Sequence, residues 1–113
     1  MTSLDSREKA IEAAFQHDQE MAFRIRTRRD RLLGFWAAEL IGFAGSAADA
    51  YAADLVAEGV EQSQGSAITR KVRHDLAAHG VSLSAHRLGR KMDALERLAR
   101  QQIVDESGAL AKG

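Results

Sequence analysis

The side chains able to bind or react are few, and one cluster dominates them. Arg24, Arg26, Arg28, Arg29 and Arg31 form a dense run of five guanidinium groups. Such a run can grip phosphates or an acidic protein surface. It can equally form a solvated helix face whose long stems cover the edge of a core. Neighbouring acids Asp18, Glu20 and Asp30 offer it local partners, for example Glu20 with Arg24 at i, i+4. His17 and Glu20 share a helical face, but one His and one acid do not make a metal site without a second pair. His74, His79 and His86 form no ligand set. Two of them flank Gly80 and suit the negative end of a helix dipole. There is no Cys, so thiolate nucleophiles, cysteine-ligated metals and disulfides are excluded. The glycines fall singly rather than in a phosphate-binding loop. Ser and Thr fall at helix starts. We read no catalytic constellation, and neither an enzyme nor a bound cofactor or metal is expected.

The charges explain more than any motif. The 113 residues carry 16 basic and 16 acidic groups, yet the signs are segregated. Residues 1–20 are net −3, 21–31 net +4, 32–65 net −5 and 66–100 net +5. Acidic and basic segments packed side by side in one bundle account for this, and such bands also steer partners. Pro is absent, aromatics are scarce, and Ala, Leu, Arg, Glu and Gln dominate. These are strong helix formers. No apolar run approaches a membrane span, and no signal-peptide pattern opens the chain. The expectation is a single soluble, cytoplasmic, all-α domain.

Four helices position these groups. The first should run from Asp5, read as an N-cap with Glu8 in the first turn, to about Phe43, with a candidate break near residue 20. Ile25, Leu32, Trp36 and Leu40 fall on one stripe, which predicts that Trp36 is largely buried. Gly42 and Gly45 end the helix. Ser46, with Asp49 three residues on, reads as the cap of a second helix that closes between Gly59 and Gly65. Ile68, Val72 and Leu76 mark a third helix, stopped by Gly80. Ser84 caps a fourth, with a stripe of Leu88, Met92, Leu95 and Ala99 and with Ile103 near its end. The expected core is Leu32, Leu33, Trp36, Leu40, Tyr51, Leu55, Val56, Ile68, Val72, Leu76, Leu88, Met92 and Leu95. Short Gly/Ser connections favour antiparallel neighbours and hence a small four-helix bundle.

The first twenty residues differ from the rest. They have helical spacing but only a narrow apolar face of Ile11, Ala14 and Phe15. Such a segment lacks the apolar area to stay docked at home and suits folding against a partner. The chain therefore divides into a mobile, partly helical N-terminal arm at 1–19, a four-helix bundle at 20–106 and a flexible tail at 107–113.

Ordered blocks of sequence carry a family resemblance. REKAIEAAFQHDQEMAF from Arg7 to Phe23 and RRDRLLGFWAAELIG from Arg28 to Gly42 resemble the zeta subunit family, inhibitors of the F-type ATP synthase of alphaproteobacteria. AYA at 50–52, KVRHDL at 71–76, GVSLS at 80–84 and KMDAL at 91–95 continue the match in order. The resemblance implies an inhibitory arm that becomes helical as it enters a catalytic interface between large subunits of the enzyme head. The matching motif puts Arg7, Glu8, Lys9, Ile11, Phe15, His17 and Asp18 in that role. Gln19 and Ala22 depart from the family pattern, where an acid and a lysine are common, which dilutes the charge of the arm. No motif supports nucleotide binding by the bundle.

The expected function is thus regulatory: inhibition of ATP hydrolysis by a protein peripheral to the inner membrane through the synthase. It would be monomeric when free, with no membrane insertion and no nucleic acid. The alternative is a small nucleic-acid-binding or adaptor protein working through Arg24–Arg31, which steep salt dependence would reveal.

Overall fold

The first forty residues hold neither Pro nor an internal Gly before Gly34, and in the computed structural model a single helix begins at Ser3 and runs through this stretch. This helix, α1, spans Ser3–Ile41 and is helical through residue 20, where the sequence suggests a break. It starts two residues before Asp5, which therefore sits in the first turn instead of at the cap. The backbone is described for residues 3–62 and 65–112, and side chains for 4–62 and 65–108. The first two residues of the expected arm, positions 63 and 64, and Gly113 of the expected tail lie outside the described residues.

Three further helices complete the described fold: α2 at Ser46–Gln62, α3 at Gly65–Ala78 and α4 at Ala85–Lys112. The stretch from Ser107 that reads as a frayed tail continues α4. Glycines terminate α1 and α3 as expected. Gly42 and Gly80 have φ of 97° and 79°, the left-handed conformation that is cheap for glycine. The Phe43 amide donates to the Ala38 carbonyl at 2.9 Å and the Val81 amide to the Leu76 carbonyl at 2.8 Å. Both are the six-to-one bonds that close a helix end. At the start of α2 the Gly45 carbonyl accepts the Asp49 amide at 3.1 Å, so Gly45, not Ser46, holds the cap position. Ser84 caps α4 as expected, its Oγ accepting the Arg87 amide at 3.1 Å.

α1 packs mainly on α2 and α4, and α3 fills the remaining side. The main core joins Leu33, Ala37, Leu55, Ile68, Val72, Leu76, Leu88, Met92 and Leu95. A smaller cluster of Ile25, Ala99 and Ile103, flanked by Met21 and Leu32, seals the end where α1 leaves the bundle. No helix of the described residues is long and apolar enough to cross a membrane.

The expected stripes of α3 and α4 are buried in full, as is Ile25 of the α1 stripe, but from Leu32 onward the buried face of α1 is turned by one residue. Leu33, Gly34, Ala37 and Ala38 point inward, while Leu32 and Trp36 are half-buried and Leu40 is 42% exposed. Tyr51 and Val56 are also half-buried. A one-residue offset is a rotation of about 100°. The cause is the approach of α2. A Cβ built on Gly34 would lie 2.6 Å from Ala52 Cα, so the two backbones meet where only glycine fits. Large side chains are displaced to the rim, where Trp36 packs on the core edge with Lys91 Nζ 5.3 Å from its ring centroid.

Polar contacts tie the remaining seams. Tyr51 donates its hydroxyl hydrogen to Asp75 Oδ2 at 2.9 Å, and Lys71 Nζ lies 3.1 Å from the same oxygen. Burial, then Asp75, pushes the Tyr51 pKa above its ordinary value. The His79 ring bonds the Asp75 carbonyl at 2.9 Å and packs edge-on against Phe43. Asp30, 4% exposed, is the buried charge of the described core. Its Oδ1 accepts from Arg29 Nε at 3.1 Å, and a Cβ on Gly59 would collide with its Oδ2. Burial raises the Asp30 pKa, opposed by Arg29 and Arg26.

These contacts set the outcome of two substitutions. Gly34→Ala would gain about 1 kcal/mol from helix propensity alone, but the collision with Ala52 should reverse the sign and cost ~1–3 kcal/mol. Urea unfolding decides it, and a more stable variant would show the interface can open. Asp30 binds its proton more tightly folded than unfolded. It should therefore contribute a destabilisation that is absent below its ordinary pKa of about 3.9 and complete above its raised folded value. Measured between those limits, stability of the parent minus that of Asp30→Asn should fall as pH rises. A flat difference would mean the carboxyl is effectively solvated.

Candidate functional site: the exposed half of α1

With a rise of about 1.5 Å per residue, the 39 residues of α1 extend about 58 Å. That nearly matches the 64 Å long axis of the molecule, whose other extents are 32 and 22 Å. Every described side chain from Leu4 to Glu20 is exposed, and burial begins at Met21. The exposure includes residues that ordinarily avoid water: Leu4 at 60%, Ile11 at 63% and Phe15 at 63%.

Helical spacing puts these three on one ridge, because steps of seven and four return to the same face. Of the seven residues expected at the site, Ile11 and Phe15 form the ridge itself. Arg7, Glu8 and Asp18 flank it within roughly 60° of the ridge line, whereas Lys9 and His17 point roughly 140° away. One helix therefore brings five of the seven onto a common surface and turns two from it. Leu4 is absent from the expected site, although its position seven residues before Ile11 is a usable signal. Phe23, 46% exposed, sits off the ridge. It borders a small cavity of about 120 Å³ shared with Asp30, Val56, Gly59 and Ile68.

Two members of the arginine run serve the bundle. Arg28 Nη1 and Nη2 form a two-pronged bridge to Glu106 at 2.8 and 2.9 Å, and Nη1 also donates to Gln102 Oε1 at 2.9 Å. Arg29 Nη1 donates to Glu96 Oε1 at 2.9 Å. The Arg28 pKa is raised and that of Glu106 lowered by their mutual bond. Arg31 lies over the Phe35 ring at 5.6 Å. Arg28 and Arg29 thus both reach carboxylates on α4, and Arg29 also bridges Asp30 on its own helix. Arg24 and Arg26 remain exposed.

One half of α1 is packed and the described part of the other half is exposed, with an apolar ridge rimmed by charge. No curated protein matches the chain. The model of the ATPase inhibitor subunit zeta family, however, matches residues 1–102, covering the bare half of α1 and the bundle up to Gln102, and the chain belongs to that family.

Proposed function

We propose that this chain inhibits ATP hydrolysis by the F-type ATP synthase by inserting the exposed half of α1 at a catalytic interface of the enzyme head. The single observation that carries the reading is the ridge of Leu4, Ile11 and Phe15, left uncovered on a helix whose other half is well packed. Membership of an inhibitor family supplies the direction of the effect. In this reading residues 1–19 are the inhibitory arm and residues 20–106 the body that carries it. Ile11 and Phe15 enter the groove between head subunits, with Leu4 extending the contact. Arg7, Glu8 and Asp18 meet its polar rim. Lys9 and His17 face outward, so their contribution is smaller than the motif alone suggests. The protein is a regulator and performs no catalysis, and it reaches the membrane surface only through the synthase.

The energetics suit a reversible inhibitor. Covering one Leu, Ile or Phe side chain contributes ~1.5–3 kcal/mol, offset by the loss of translational and side-chain freedom on association. A three-residue ridge therefore binds usefully only if the groove fits it closely and the rim charges are met.

An ATPase assay with the cognate enzyme tests this. Deleting residues 1–19 should leave a cooperatively melting helical protein that no longer inhibits. Phe15→Ala should weaken inhibition by ~2 kcal/mol, about 30-fold. Lys9→Ala should change it by less than about threefold, as expected for a side chain outside the contact. Full inhibition by the truncated chain would refute the arm, and equal losses at Phe15 and Lys9 would refute the ridge.

A further inference from the structure

α1 and α4 run antiparallel, and their contacts can be followed like rungs toward the arm. Lys91 sits over Trp36, Glu96 meets Arg29, and Gln102 and Glu106 meet Arg28. Beyond these, Ile103, 1% exposed, packs with Ile25, and Met21 covers that cluster. Met21 is also where burial of α1 begins. The last rungs of α4 therefore coincide with the root of the arm. Ile103 and Glu106 lie beyond the family match, which ends at Gln102.

We propose that Gln102, Ile103 and Glu106 form a bracket that positions the inhibitory arm, holding α1 helical from Met21 to Arg28 so that the arm grows from a preformed helix in a fixed direction. The consequence for inhibition rests on the function proposed above, whereas the effect on the arm does not. The reason is the cost of starting a helix. Nucleation carries a factor of about 10⁻³, and helices shorter than about 12–15 residues are marginal in water. The segment from Ser3 to Glu20 is only slightly longer than that limit, and its exposed side chains gain little from tertiary packing. Attached to a root already wound, it needs only propagation. The bracket combines the two kinds of contact such a root requires. Ile103 removes apolar surface from water at Ile25 and Met21. The two-pronged Arg28–Glu106 bridge, with Gln102 as a second acceptor, fixes rotation about the helix axis.

The test is amide exchange on the full chain, read at residues 15–24 and, as an internal reference, at Ile68–Leu76 of α3. Arg28→Glu places two carboxylates together and should speed exchange at 15–24 about tenfold, the scale of a charged hydrogen bond, while leaving the α3 amides within about twofold. The double variant Arg28→Glu with Glu106→Arg reverses the bridge, and Gln102 can then donate to the new acid instead of accepting. It should restore exchange to within about twofold of the parent. Ile103→Ala should loosen the same residues. An unchanged single variant overturns the bracket, as does failure of the double variant to restore protection. Equal acceleration in α3 also overturns it, since the bridge would then support the whole bundle. In the ATPase assay the single variant should inhibit several-fold less well and the double variant should recover. If the parent chain itself fails to inhibit, the function proposed above is wrong, and the exchange result still decides the bracket.

Discussion

The constraint on which the structure turns is a mismatch of helix lengths. α1 has 39 residues against 17 in α2 and 14 in α3. No antiparallel neighbour of those lengths can cover it, so about half of α1 must project or find a cover elsewhere. α4, with 28 residues, reaches furthest along it and sets the point at which cover ends. Everything in the functional reading depends on that geometry. The packed half supplies stability, and the bare half supplies a surface. A bundle with four helices of equal length would bury its apolar stripes completely and have nothing to offer.

The packed half is built on a contact that a count of hydrophobic periods cannot see. α3 and α4 are legible because Ile68, Val72 and Leu76, and Leu88, Met92, Leu95, Ala99 and Ile103, recur at helical spacing. Such stripes are all buried. The buried face of α1 is not legible in the same way, because it is made partly of absences. Gly34 against Ala52 brings α1 and α2 together through backbone, and the small Ala37 and Ala38 follow that face. Weighting large residues selects Leu32, Trp36 and Leu40 instead, which lie on the rim. The burial of Asp30 is equally hidden. Within an arginine run an acid reads as one more solvated charge, and its burial depends on Gly59, on a different helix. In the candidate site, Ile11 and Phe15 stand out already in the sequence as apolar residues of a polar helix, and ordered sequence blocks carry the family. Dividing the motif into ridge, rim and outward-facing residues requires the helix to be known as continuous.

Charge illustrates the same limit from another side. A run of five arginines suggests a binding surface, and sequence alone leaves that open against a structural role. What decides between them is the position of the carboxylates. Glu96 and Glu106 are 67 and 78 residues from their arginine partners, too far for local pairing rules to reach. With Arg28 only 28% exposed and Arg29 12% exposed, two of the five guanidinium groups are committed to the α1–α4 seam. Arg28 and Arg29 therefore belong to the α1–α4 seam, whereas Arg24, Arg26 and Arg31 stay exposed.

A projecting helix with an apolar ridge carries a hazard, because the simplest partner for one such helix is a second copy of itself. The charges of the arm work against that outcome. Residues 1–20 hold five acids and two bases, and Glu8 and Asp18 lie on opposite sides of the ridge. Two arms laid ridge to ridge would bring those acids into the rim of one shared contact, where like charges repel and are poorly screened once water is excluded. Arg7 flanks the same ridge, so the rim carries one base among its acids. A covering surface with an apolar groove and a basic or neutral margin would avoid the repulsion between those acids.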